Sequence, residues 1–238
     1  MLDTNCNSSS NTNETYPFQL YIAKKPVNPA TSMRVQVLRE NHPDRKTANT
    51  FIQAGFKKSY GADVTVSMPI VIGLEKAGFK AALGMRSASD RLFIEQYLAI
   101  PIEQALGAQG YLSKRQHIAE IGHLYSNSSN FTLSLLIVTA LLLHKQGFTA
   151  MVFTATAQLS NLFAKFGLTP RFIADADPSK LVISDQYWGT YYETQPKVMS
   201  LQLQDVKDLI AANRLFRVMS EQLMPQIDAL VSNAKVAA

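Results

Sequence analysis

The sequence predicts a mixed α/β fold, an α+β arrangement in which a mostly antiparallel sheet contains one parallel βαβ unit, is flanked by helices and is followed by a helical C-terminal extension. Three observations carry this. Residues 64–75 and 79–85 are runs of β-branched and small apolar residues separated by Lys76-Ala77-Gly78. They make an antiparallel hairpin in which Gly78 supplies the positive φ of the turn. From residue 116 the order is strand, polar loop, long helix, strand, helix, which favours a right-handed crossover and a parallel strand pair. From residue 204 onward apolar residues recur with helical spacing.

Taken in order, residues 1–15 are an Asn/Ser/Thr tail with too few apolar side chains to repay ordering entropy, and are expected to be disordered. Residues 18–23 are aromatic and β-branched, and 33–38 alternate with the period of a half-buried strand. After His42-Pro43, Asp44 is placed to cap a helix in which Ala48, Phe51, Ile52, Gly55 and Phe56 share a face up to Tyr60-Gly61. The hairpin follows. Asp90 is then expected to cap a short helix through Leu92, Phe93, Gln96 and Tyr97, and Pro101 to open another reaching Leu106, the two forming a flap. A strand over 116–125 leads through Ser126-Asn127-Ser128-Ser129 into a helix over 130–145, which Gly147 ends. A buried strand at 149–154, a helix at 157–166 closed by Gly167, and strands at 171–173 and 198–203 complete a core domain spanning 16–203. The extension, 204–238, presents Val206, Leu209 and Ile210, then Leu215, Met219, Leu223, Ile227 and Val231. That stripe packs on the domain or makes a homodimer contact, so a monomer and a homodimer through these helices both fit.

Composition narrows the function. With 47% apolar and 17% charged residues the 238-residue chain can bury a substantial core. The net charge of +5 is scattered, without a dense basic tract or an aromatic-interleaved RNA motif, so nucleic acid is not an expected partner. The single cysteine, Cys6, permits no intrachain disulfide. The N-terminus lacks a basic n-region and an apolar h-region, and the cytoplasm is the expected location. Residues 131–143 are strongly apolar but are interrupted by Thr132, Ser134 and Thr139, and fall short of the roughly 18 to 20 residues of a membrane span. His117, His123 and His144 lack ligand spacing, so no metal is expected. No Gly-x-Ser-x-Gly elbow or Walker pattern occurs.

Chemistry concentrates where the strand over 116–125 meets its helix. A strand, polar loop and helix N-terminus present unpaired N–H groups and the positive end of a dipole. Here the loop is Tyr125-Ser126-Asn127-Ser128-Ser129-Asn130, suited to a pyrophosphate or phosphopantetheine, although an ordinary N-cap uses the same residue types. Glu120, in the apolar strand before it, can hold a substrate ammonium and, with its pKa raised by burial, take a proton from it. A structural pairing with Arg86 or Arg115 accounts for it equally well.

Tyr60-Gly61-Ala62-Asp63, the run 92–98 followed by Pro101-Ile102-Glu103, Glu120-Ile121-Gly122, the run 152–156, and Trp188-Gly189-x-Tyr191-Tyr192 occur in this order between about residues 45 and 200. Together they resemble the bacterial thermostable hemolysin family, whose sequences are similar to the GNAT N-acyltransferases and above all to acyl-homoserine-lactone synthases. The resemblance implies a GNAT-like fold that transfers an acyl group from acyl-CoA, or from acyl-phosphopantetheine on an acyl carrier protein, to a small amine or amino acid. It implies catalytic roles for Arg86, at the end of the strand before the flap, and for Glu120. It sets Phe56, Tyr60 and Asp63 on the acceptor side; Glu95, Gln96 and Tyr97 on the flap either shape that pocket or serve helix capping and packing. Thr154, Thr156 and Asn161 join the 125–130 loop on the cofactor side. Two departures stand out. The GNAT pyrophosphate loop normally carries glycines where this one carries Ser and Asn, and the tyrosine that in many GNAT enzymes protonates the departing thiolate is replaced by Phe163. A thiol with a pKa of about 8.5 leaves tolerably well without an acid. A directly lytic protein and a non-catalytic acyl-binding module are the competing expectations.

Overall fold

The computed structural model describes residues 32–182 and 186–236. The expected tail at 1–15 and strand at 18–23 lie outside the described residues. Among the described residues the first strand, β1 (Arg34–Arg39), leads into α1 (Arg45–Tyr60), then β2 (Ile70–Glu75) and β3 (Phe79–Ser87). A 3-10 turn at Ile94–Tyr97 and α2 (Ile102–Ala108) precede β4 (Ile118–Ser126), α3 (Ser129–Lys145), β5 (Ala150–Ala155) and α4 (Ala157–Lys165). The chain closes with β6 (Arg171–Asp175), β7 (Lys197–Gln202), α5 (Leu203–Ala212) and α6 (Arg214–Val236). Among the described residues the strands form one seven-stranded sheet in the order β1-β2-β3-β4-β5-β7-β6. β4 and β5 run parallel and every other neighbouring pair is antiparallel. This is the mixed, mostly antiparallel sheet with one parallel unit that the sequence predicts.

The hairpin turns through Ala77 and Gly78, at φ 50° and 90°. Its first strand is shorter than expected, beginning at Ile70 rather than near Val64. Val64, Val66 and Met68 are buried alternately, as in a strand, but the segment forms only an isolated bridge between Asp63 and Tyr187. Side chains take its carbonyls instead. The buried Arg45 guanidinium donates to Met68 O at 2.5 Å and Pro69 O at 3.2 Å, and Gln53 Nε2 donates to Val64 O at 3.0 Å. Alternating burial thus mimics a ladder that side-chain donors have replaced.

The Asp90-capped helix is also corrected. Asp90 N bonds back to Ser87 O, and only Ile94–Tyr97 coils, as a 3-10 turn. The acceptors at its start are glutamates: Glu95 takes Leu92 N at 3.1 Å, while Glu120 takes Phe93 N and Ile94 N. Asp44 holds the N-cap position of α1 without a side-chain cap bond.

Two apolar layers flank the sheet. On one face α3, α5 and α6 bury Leu133, Leu136, Val206, Phe216 and Ile227 with Ala119, Ile121, Met151 and Phe153 of the central strands. On the other, α1 covers β2 and β3 through Ile52 and Phe56, and the flap covers Ile118, Val152 and Val198. Among the described residues no helix is long and apolar enough to cross a membrane. α6 also reaches the sheet edge, where Gln226 accepts from Val35 N at 2.9 Å and donates to Met33 O at 3.0 Å.

Candidate active site

The parallel register of β4 and β5 ends at Ile121↔Phe153, although the strands continue to Ser126 and Ala155. The two strands are drawn apart. β4 stays with β3, pairing Gly122 with Gly84 and Tyr125 with Ala82, and β5 stays with β7, pairing Thr154 with Val198. Between these pairs β4 bulges, with His123 in the left-handed region at φ 52°. A cleft of about 240 Å³ fills the gap. Residues 122–126 form one wall, Phe153, Thr154 and Thr156 the other, and Phe56 and Tyr60 close one side.

The start of α3 lies at this cleft through Ser129 and Thr132. Ser128 makes no side-chain cap bond, and the Ser126 hydroxyl donates to Ser128 O at 3.0 Å. The opening N–H groups of α3 and the positive end of its dipole are therefore left for another acceptor. A phosphate or a pantetheine amide carbonyl suits such a place.

Behind the cleft lies a chamber of about 50 Å³ with Glu120 in its wall. Glu120 is 1% exposed, and its oxygens accept Phe93 N at 3.0 Å and Ile94 N at 2.8 Å. Burial raises its pKa, and the two N–H groups and Arg86 oppose that rise. Arg86 is its cross-strand partner, with a guanidinium that donates to Ser67 O and Arg91 O at 3.1 Å each. Aromatic rings supply much of the remaining wall: Phe56, Phe93, Tyr97, Trp188, Tyr191 and Tyr192. The Tyr97 and Tyr192 hydroxyls bond at 2.5 Å, and Tyr191 donates to Thr154 Oγ1 at 3.0 Å. Trp188 stacks on His123 at 6.4 Å between ring centres. Burial, assisted by Arg86, pushes the His123 pKa down to about 4. Gly189 is required beside Trp188, because at φ 53° the chain passes so close to α1 that a Cβ would sit 1.9 Å from Tyr60 O.

Of the residues singled out in the sequence, Glu120, Arg86, Tyr97, Phe56 and Thr154 line the chamber, and Phe56, Tyr60, Tyr125, Ser126, Ser129, Thr154 and Thr156 line the cleft. The others lie elsewhere. Asn127 donates its N–H to Lys80 O, Ser128 O receives Thr132 N, and Asn130 O accepts the Ser134 hydroxyl. Asn161 is exposed on α4, and Asp63 is exposed and uses its backbone to bridge Tyr187. Glu95 pairs with Arg115 at 2.6 Å, caps Leu92 N and Ile102 N, and is held down to about 2 chiefly by that arginine. Gln96 donates to Phe93 O and accepts from Val182 N. Both shape the flap rather than the chamber. Arg115 is thus committed to Glu95 and Glu103, and Arg86 is the cation beside Glu120. Phe163 is buried against Phe153 on the α3 face, so its side chain belongs to the core. Nothing in the sequence assigns His123, Trp188, Tyr191 or Tyr192 a role in the site. The one usable signal is the WGxYY string, which marks a loop in close contact without saying with what.

Solved structures with this fold include FeeM, an N-acyl amino acid synthase from uncultured soil microbes, at TM-score 0.53 and 11% identity, covering 76% of this chain and 98% of that one. The AHL synthase LasI matches at TM-score 0.50 and 16% identity over 73% of this chain and 91% of its own. BjaI, a CoA-dependent acyl-homoserine lactone synthase solved with MTA, matches at 0.50 and 8% over 76% and 89%. No curated protein matches the sequence. The fold is the one the resemblance implied, and since residues 38–207 match the thermostable hemolysin family, the chain belongs to that family.

Proposed function

We propose that the protein transfers an acyl group from an acyl thioester to the nitrogen of a small amine or amino acid. One observation carries the reading: the cleft left by the parting of β4 and β5, with a helix N-terminus at its side, adjoins a chamber holding a buried carboxylate. The donor lies in the cleft, its pantetheine or phosphate groups against the first amides of α3 and the Ser126 and Ser129 hydroxyls. A strand N–H freed by the splay polarises the thioester carbonyl. The acceptor ammonium sits at Glu120, whose carboxylate orients it for attack. Nitrogen adds to the carbonyl carbon, the C–S bond breaks, and the thiol departs. Acyl-CoA and acyl carrier protein are both suitable donors, and either places the reaction in the cytoplasm.

The test is amine-dependent thiol release from octanoyl-CoA and from octanoyl acyl carrier protein, with glycine, butylamine and homoserine lactone as acceptors. Glu120→Gln is expected to lower the rate by about 100-fold or more through loss of the charge that positions the ammonium. Thioester binding without turnover across the acceptors would make the protein a binding module. Lysis of liposomes by the purified protein without a thioester would favour a directly lytic protein, although the apolar stripe of α6 is packed into the core.

A further inference from the structure

Six residues line both the cleft and the chamber: Phe56, Ile121, Gly122, His123, Thr154 and Tyr191. They form the wall across which the two substrates of the proposed reaction meet. Three carry polar side-chain atoms, and two of these satisfy each other, since the Tyr191 hydroxyl donates to Thr154 Oγ1. His123 is the third. Both of its ring nitrogens are shielded from solvent and make no hydrogen bond.

A buried polar group without a partner costs about 1–3 kcal/mol, and a neutral imidazole carries a ring-nitrogen lone pair able to accept a proton. The backbone tells the same story. In an uninterrupted strand, residues three apart face opposite sides. Ile121 and Leu124 pack in the α3 layer, while Tyr125 packs in the α1 layer. The bulge inserts His123 as an extra residue, at φ 52°, and turns it to the side of Glu120, where its ring meets Phe56 and Trp188. Bulges that re-aim a side chain and residues held in the left-handed region both concentrate at working sites.

We infer that His123 is a catalytic residue of the acyl transfer, taking the proton from the acceptor ammonium that Glu120 holds. The assignment rests on the function proposed above. Glu120 is occupied as an acceptor at both oxygens, which suits it to remain the anion beside the ammonium. The imidazole is neutral beforehand, being buried and close to Arg86. It takes one proton from nitrogen, whose lone pair then forms the C–N bond while the carbonyl electrons move to oxygen. Collapse breaks C–S, the thiolate takes the second nitrogen proton, and the imidazolium returns its proton to solvent.

His123→Asn and His123→Gly are suited to the test, because Asn and Gly both tolerate a positive φ. With octanoyl-CoA and whichever of glycine, butylamine or homoserine lactone the wild type accepts, kcat is expected to fall by about 100-fold or more. KM for octanoyl-CoA and the melting temperature should stay near wild type, and added imidazole should restore part of the rate of His123→Gly. Unchanged kcat in both variants, or a fall matched by loss of thioester binding or of fold, overturns the assignment. A second readout needs no turnover. In wild-type protein labelled with ¹⁵N at histidine, butylamine is expected to shift the ring signals that His123→Asn removes. If the wild type releases no thiol with any acceptor, the acyl-transfer reading fails by itself, and unshifted His123 signals then overturn the contact with amines.

Discussion

The carboxylate of Glu120 accepts two backbone N–H groups of the flap, so replacing it perturbs folding as well as chemistry. Glu120→Ala leaves Phe93 N and Ile94 N without acceptors and should cost about 1–3 kcal/mol in urea unfolding. Glu120→Gln keeps one oxygen acceptor and should cost less, which makes it the better variant for rate measurements. The carboxylate was legible as a site candidate because it interrupts an apolar strand before a polar loop. The identity of its partners was not, since Phe93 and Ile94 lie more than twenty residues upstream and no local pattern encodes such a meeting. Gly189 behaves the same way. Its string was visible, but its approach to Tyr60 O exists only after α1 and the loop come together. Gly189→Ala should destabilise the protein by about 1–3 kcal/mol through the unfavourable φ and the steric conflict, and should weaken activity because Trp188 stands next to it.

Among the elements, α1, β3, β4, α3, β5 and α4 were legible because each pairs a clear periodicity with a polar or glycine stop. The segment 64–69 and the first part of the flap, residues 90–97, were not, for one shared reason: side chains took over hydrogen bonds that regular structure ordinarily makes. Arg45 and Gln53 satisfy the first, and Glu95 and Glu120 the second. The bulge in β4 escaped too, because a strand's alternation reads the same until a neighbour's register reveals the extra residue. The flap carries a pH signature. Arg115 holds the Glu95 carboxyl at about 2 against an ordinary 4.5, so the unfolded chain takes up that proton first. The stabilisation is complete above 4.5 and is lost as pH falls toward 2. Arg115→Met should lower stability at pH 6 by about 1–3 kcal/mol and flatten the urea midpoint across that acid window.

At the scale of the whole molecule, the succession of the described strands and the parallel pair followed from patterning, whereas the insertion of β7 between β5 and β6 did not. An antiparallel partner for β5 can come from any later strand of suitable length, and the choice is made by packing. The same holds for the C-terminal stripe, whose residues enter the α3 layer of the core. Phe216, 1% exposed, illustrates this, and Phe216→Ala should cost about 3–5 kcal/mol in chemical denaturation. The amide of Gln226 answers the Met33 carbonyl just before β1 and the Val35 N–H within it, β1 being the border strand of the sheet among the described residues. A border strand engaged in this manner offers a second molecule fewer places to zip on. The final helix therefore acts as a guard against fibrous stacking, and Gln226→Ala is expected to hasten thioflavin-positive assembly on gentle heating even where the melting temperature barely moves.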